Sequence, residues 1–311
     1  MQSDKHFLIL AEGIKELAHK LLMSDKHFIP VERLKELRHN ILSSKKRMSN
    51  TADRSGMAEA LFEDHIKPIL GAYQPIISPL ASHYSDTLYR ARKCIGENPF
   101  TNIKDLYNPP TASGRAFTSS TMPILYASSS MQTCLSELDP KIGDLINIVQ
   151  FEYTKIMDGQ FWFIGQLGLF HKSNEPSRYL GDNSSVEKPH FFPKRALHSW
   201  VFKDSLMNEI FSKVSSQLDD YALNRFLIDE IRKKLPEEKG LDGVVFLSIK
   251  DPPGINFAIF GHSINKLEPR IVNLVRITDI DDYGFVAFKL LKNAKPKNGS
   301  LEWPEFELNL E

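Results

Sequence analysis

The stretch from Tyr107 to Glu137, YNPPTASGRAFTSSTMPILYASSSMQTCLSE, leaves the backbone few options. Asn108-Pro109-Pro110 cannot continue a regular element, because the prolines lack N–H donors and their rings restrict the residues before them. Gly114 lets the chain turn just before Arg115, so that guanidinium is expected on a loop and not on a solvated helix face. Met122 to Ala127 (MPILYA) reads as a short buried strand, with Pro123 near its start where a missing N–H is tolerated. The serines 128–130 then supply a helix N-cap; Met131, Cys134, Leu135 and Leu138 share one face of the helix, with Glu137 beside that face. Arg115, Tyr126 and Glu137 are thereby carried on the loop, strand and helix of one unit.

The flanking segments carry both helical and strand patterns. Met57 to Ile66 suits a helix, while Ile69 to Leu80, broken by Gly71, Pro75 and Pro79, reads as a loop leading to a strand at Thr87–Cys94. In that strand Leu88, Arg90 and Arg92 face one way and Tyr89, Ala91 and Lys93 the other; a mid-strand Arg90 needs an anionic partner if its face is covered. Asp144–Thr154 alternates as a strand, and Phe161–Ile164 suits a shorter one. Residues 173–193 form a polar, turn-rich surface loop, and helical patterns follow at Arg195–Leu218 and Tyr221–Leu235. Gly240–Ser248 and Ile255–Phe260 form a hairpin through Pro252-Pro253-Gly254, which sets Ser248 at a strand end where a hydroxyl can enter a cleft. Arg270–Ile277 and Tyr283–Leu291 read as peripheral strands.

Residues 3–22 and 24–42 both begin SDKHF and continue with E-x-x-K-E-L-x-H, an internal duplication. Leu10, Ile14, Leu17 and Leu21 in one copy, and Val31, Leu34, Leu37 and Ile41 in the other, mark amphipathic helices. Two copies are too few for a solenoid, so they are expected to pair, to dock on the rest of the chain or to mediate self-association. Arg33 and His39 have the R-x5-H spacing of a HEPN-type ribonuclease, but on a short, charged helix a solvated face explains them. Ser44–Ser55, polar and aperiodic, is a linker. The expected organisation is a helical segment at 1–55, a main domain at 56–265 and an extension at 266–311.

Across 311 residues, 39 Lys plus Arg balance 39 Asp plus Glu, so no net field recruits nucleic acid or an anionic membrane. No apolar run is long enough to span a bilayer and no signal-like segment opens the sequence; with two cysteines, Cys94 and Cys134, in apolar elements, the expectation is a cytoplasmic protein with buried free thiols. No set of metal ligands is in view.

Read in order, Leu88-Tyr89-Arg90, Gly114-Arg115-Ala116-Phe117, Pro123-Ile124-Leu125-Tyr126-Ala127, Thr133-Cys134-Leu135-Ser136-Glu137, and Leu241-Asp242-Gly243 to Ser248 with Gly254-Ile255-Asn256 resemble the RES domain family, NAD-consuming enzymes often found as toxins of bacterial toxin–antitoxin pairs. The likeness spans roughly residues 80–262; Phe117 departs from it, standing where many members carry Asn. The resemblance implies an α/β domain of the α+β kind, similar to the ADP-ribosyltransferase fold with a central split mixed sheet and preceded here by the small N-terminal helical segment. It also implies NAD+ as substrate, not as a prosthetic group, with inorganic phosphate as co-substrate if cleavage is phosphorolytic, and an antitoxin as partner. Glu137, Arg115 and Tyr126 become the catalytic candidates, and Arg90, Arg115, Tyr126, Ser248 and Asn256 the NAD-binding ones.

Cleavage of the nicotinamide–ribose bond passes through an oxocarbenium-like sugar and releases a neutral base. It therefore needs a carboxylate, here Glu137, more than a strong general acid. Arg90 and Arg115 suit the pyrophosphate because a guanidinium binds it bidentately, and Tyr126 offers a ring and a hydroxyl to the nicotinamide or ribose. No Gly-rich dinucleotide fingerprint follows a strand, which disfavours hydride transfer. Hydrolysis, phosphorolysis, ADP-ribosylation of a protein, and a non-catalytic RES-like module remain open at this level.

Overall fold

The computed structural model describes residues 29–48, 53–71, 76–79, 87–96, 98–107, 123–152, 159–165, 194–212, 240–248, 250–251 and 254–304. Arg115, the first repeat copy, residues 173–193 and Tyr221–Leu235 lie outside them. In chain order the elements are α1 (Val31–Met48), α2 (Arg54–Leu61), a π-helical turn (Phe62–Ile66), α3 (Lys67–Gly71), β1 (Ile76–Pro79), β2 (Thr87–Lys93), α4 (Ile103–Tyr107), β3 (Ile124–Ser128), α5 (Met131–Ser136), β4 (Leu145–Glu152), β5 (Gln160–Ile164), α6 (Lys194–Ser212), β6 (Leu241–Leu247), β7 (Ile255–Phe260), α7 (Gly261–Ile264), β8 (Glu268–Ile280), β9 (Val286–Lys297) and β10 (Ser300–Glu302). The expected α+β class holds. Among the described residues no helix is long and apolar enough to cross a membrane.

The chain divides into two compact units that interleave along the sequence. One holds α1 to α3, β1, β5 and α6; the other holds β2 to β4, β6 from Asp242 on, β7 to β10, and α4, α5 and α7. In the first, the stripe Leu34, Leu37, Ile41 on α1 is buried, and α1 packs on α6, whose Leu206, Met207 and Ile210 are also buried. Arg38 forks onto Glu209 at 2.6 and 2.7 Å, and Lys45 Nζ donates to the Ile210 carbonyl at 2.7 Å. The second repeat copy is therefore docked on the body of its own unit. Arg33 is occupied by Glu36 on an exposed face of α1, as a solvated helix requires.

Residues 69–80, read as a loop from their Gly and Pro content, contain more structure than that. Asp53 caps α2 by accepting from the Gly56 N–H at 3.0 Å, the helix continues through the π turn into α3, and Ile76–Pro79 pairs with Phe163–Gln160. Pro79 is tolerated because it lies at the end of its strand.

In the second unit eight strands run in the order β6-β7-β3-β2-β4-β8-β9-β10, each neighbouring pair antiparallel. β2 and β4 pair along seven residues, but among the described residues the β2–β3 ladder has one register pair, Tyr89 opposite Ser128, so the sheet opens between them. α5 covers the Tyr89/Ala91 face, where Cys134 and Leu135 pack with Ile146, Ile148, Val275 and Ile277. β8, expected as a peripheral strand, pairs along the whole of β4 instead: β4 is buried along most of its length, so the backbone N–H and C=O groups on both its edges need partners.

Candidate active site

Ser130 is the N-cap of α5: its hydroxyl accepts from the Thr133 N–H at 3.0 Å, satisfying a donor the helix leaves orphaned. The helix lasts only from Met131 to Ser136, and Glu137 follows as its C-cap, exposed, at the edge of the buried face formed by Thr133, Cys134, Leu135 and Ser136. The neighbouring β3–β7 ladder sets Ser128 opposite Asn256, and the β6–β7 ladder sets Phe246 opposite Asn256. Residues directly opposite in an antiparallel sheet share a face. Tyr89, Ser128 and Asn256 consequently form a row across the sheet, under the side that carries α5.

On this row the Glu137 carboxylate is gripped at one oxygen. Oε1 accepts from Ser248 Oγ at 2.7 Å and from Asn256 Nδ2 at 2.7 Å. Both donors are almost fully buried, Ser248 at 4% and Asn256 at 5% exposure, whereas Glu137 opens to solvent. Asn256 is itself oriented, since its Oδ1 accepts from Ser128 Oγ at 2.7 Å and so turns the amide nitrogen toward Glu137. Among the described residues Oε2 takes no hydrogen bond. The arrangement is a solvent-exposed carboxylate with one oxygen clamped by two neutral donors.

Ser248, Asp251 and Gly254, between β6 and β7, bond to one another beside this group. Ser248 N–H donates to the Gly254 carbonyl at 2.9 Å, and Ser248 Oγ accepts from the Asp251 N–H at 3.0 Å. Gly254 is required by close approach: a β carbon there would stand 2.7 Å from Thr133 Cγ2 and 2.6 Å from the Asp251 carbonyl oxygen. The G-x-N element thus brings a bare backbone against α5 so that Asn256 can reach Glu137.

The sequence-derived residues fall into three groups. Glu137, Ser248 and Asn256 meet. Tyr126 is half-buried on β3, two residues before Ser128 and therefore on the same sheet face, opposite Ala258. Arg90 lies on the other face of β2, opposite Val149, and is 4% exposed; its Nε donates to the Leu106 carbonyl at 2.8 Å and Nη1 to the Tyr126 carbonyl at 2.7 Å. It spans the opening between β2 and β3 and ties α4 to the strand bearing Tyr126. Arg115 lies outside the described residues. Sequence reasoning gave no site role to Ser128, Thr133 and Asp251, which lie within or beside the recognised motifs; only their hydrogen-bond partners show what they do.

Elsewhere in the unit, Tyr107 donates to the Leu267 carbonyl at 3.1 Å, and burial pushes its hydroxyl up to about 12. Asp242 is buried at the start of β6, where it accepts from Ser263 and from Lys266 Nζ, the latter at 2.8 Å, and anchors α7. Burial also raises the Cys94 thiol to about 11 and the Cys134 thiol further, and neither forms a disulfide. No protein-family model matches this sequence, and no curated protein matches it significantly.

Proposed function

We propose that this protein cleaves NAD+ at the nicotinamide–ribose bond as a RES-type enzyme on a domain related to the ADP-ribosyltransferases, with Glu137 as the carboxylate that faces the ribosyl cation. One observation carries the reading: Glu137, Ser248 and Asn256, separated by 111 and 119 positions, meet at a single carboxylate oxygen, as residues sharing a cleft would. Glu137 then needs no reorganisation as positive charge develops on the sugar, because Ser248 and Asn256 already hold it; a preorganised group of this kind is worth about 3–4 kcal/mol. Tyr126, on the same sheet face, is the candidate to contact the nicotinamide ribose. Arg115 remains the candidate pyrophosphate ligand, while Arg90, bonded to two carbonyls, is better suited to shaping the strand that presents Tyr126. In hydrolysis water supplies its oxygen to C1′ of the ribose, nicotinamide leaves neutral and a proton is released. In phosphorolysis a phosphate oxygen takes the place of water.

In this reading the protein is a cytoplasmic NAD-depleting effector, held in check by a partner such as an antitoxin or by its own duplicated helices. The test is to incubate the pure protein with NAD+, with and without phosphate, and to separate the products. ADP-ribose or its 1-phosphate identifies hydrolysis or phosphorolysis, and a labelled protein band identifies transfer. In the same assay Glu137→Gln is expected to slow turnover about a hundredfold or more while unfolding like the parent, because Gln keeps an oxygen for Ser248 and Asn256. Intact NAD+ with the parent protein, or parental turnover by the variant, overturns the assignment.

A further inference from the structure

We infer that Asp251 and Thr133 form a latch that positions the Glu137 carboxylate through Ser248; the catalytic half of this inference rests on the NAD-cleaving reading. A serine hydroxyl has one proton to give and two lone pairs to receive. The Asp251 N–H fills one lone pair of Ser248 at 3.0 Å, which leaves the proton directed to Glu137 Oε1 at 2.7 Å. That direction lasts only while the Asp251 backbone stays in place. Asp251 belongs to the connection between β6 and β7, where its carbonyl accepts from the Gly254 N–H, and its carboxylate ties that connection to α5: Oδ2 accepts from Thr133 Oγ1 at 2.6 Å. Thr133 is 1% exposed, and its hydroxyl also contacts Ser130 Oγ at 2.8 Å, the N-cap of α5.

The same short helix therefore holds the loop at its first turn and carries Glu137 at its end. Gly254 completes the seal by letting the loop backbone lie on Thr133. Asp251 and Thr133 touch no reacting atom in this scheme; they act through Ser248. Losing the Thr133 hydroxyl removes the tie between Asp251 and α5 and loosens the loop, so the Asp251 N–H no longer fixes the direction of the Ser248 proton toward Glu137. The loss falls on the transition state, where the carboxylate works, and not on ground-state binding.

Parent, Thr133→Val, Thr133→Ser and Glu137→Gln are compared in steady-state NAD+ cleavage, with hydrogen exchange of the peptide spanning residues 249–256 measured in parallel. Thr133→Val is expected to lower kcat about tenfold or more with KM changed less than about threefold, to speed exchange in that peptide, and to be rescued in both by Thr133→Ser. Asp251→Ala gives the same two effects and stands in if Thr133→Val does not fold. If Glu137→Gln is impaired but Thr133→Val has parental kcat, or if Thr133→Ser does not rescue, the latch is wrong while the NAD reading stands. If the parent cleaves no NAD+, that reading fails, and exchange decides the latch alone: unchanged exchange in Thr133→Val and Asp251→Ala overturns it.

Discussion

Glu137 Oε1 and Asn256 Nδ2 stand 2.7 Å apart although 119 positions separate the two residues, and the amide is held in that orientation by Ser128 on its far side. The contact makes the charge at position 256 critical. Asn256→Asp sets a second carboxylate against Glu137 in a site where residue 256 is only 5% exposed. Two carboxylates this close cannot both ionise freely, so one holds a proton well above the usual range. The variant is expected to lose more melting temperature at pH 7 than at pH 4.5, since acid supplies the shared proton and relieves the repulsion. Equal losses at both pH values would show that the two groups do not face each other.

Gly254→Ala tests the close approach of the β6–β7 connection to α5. The added methyl would meet Thr133 Cγ2 at 2.7 Å and the Asp251 carbonyl oxygen at 2.6 Å, one of them backbone, so the loop must shift. Overpacking of this kind costs about 1–3 kcal/mol. Urea unfolding is expected to show a lower midpoint at unchanged slope, with exchange in the 249–256 peptide accelerated.

Arg90→Lys tests whether the buried guanidinium is a brace. Its Nε and Nη1 reach two carbonyls on different elements, Leu106 and Tyr126, which a single ammonium cannot span in the same geometry. Stripping one such bond from a buried acceptor costs about 1–3 kcal/mol. Thermal unfolding is the measurement, and a melting temperature equal to the parent's would remove Arg90 from this role.

Cys94 provides a pH signature. Burial raises its thiol to about 11, partly offset by the Asn147 amide that donates to its sulfur at 2.8 Å. In the unfolded chain a thiol ionises near about 8.5. Between those values the unfolded state gives up a proton that the folded state keeps, so this group's contribution to stability is intact below about pH 8.5 and falls as pH climbs toward about 11. Parent and Cys94→Ala unfolding midpoints are expected to diverge in slope across that window, and iodoacetamide at pH 8 should label Cys94 far more slowly in the folded than in the denatured protein.

Local signals in the sequence were strong enough to place most of the described elements. The serine N-cap before α5, the alternation of Thr87–Lys93 and the paired apolar runs of β6 and β7 each rest on interactions within a few residues, and each appears where that local chemistry puts it. The strand at Ile76–Pro79 was not legible, because its proline content argues for a loop and only the partner strand β5 makes it pay to extend.

The sequence by itself determined which side chains stand at which ends of which elements: a carboxylate just past a capped helix, a serine at the end of an apolar strand, an asparagine after a glycine at the start of the next. Only the tertiary structure decided that these three meet, that Ser128 and Asp251 aim the donors, and that the row holding them lies on the Tyr89 face of β2 and not on the Arg90 face. The physical reason is that caps and periodicity are settled over one turn or one strand, whereas the partner of a buried polar group is settled by strand order and register. Those depend on how all eight strands of the unit share edges at once, and no local stretch of residues encodes that.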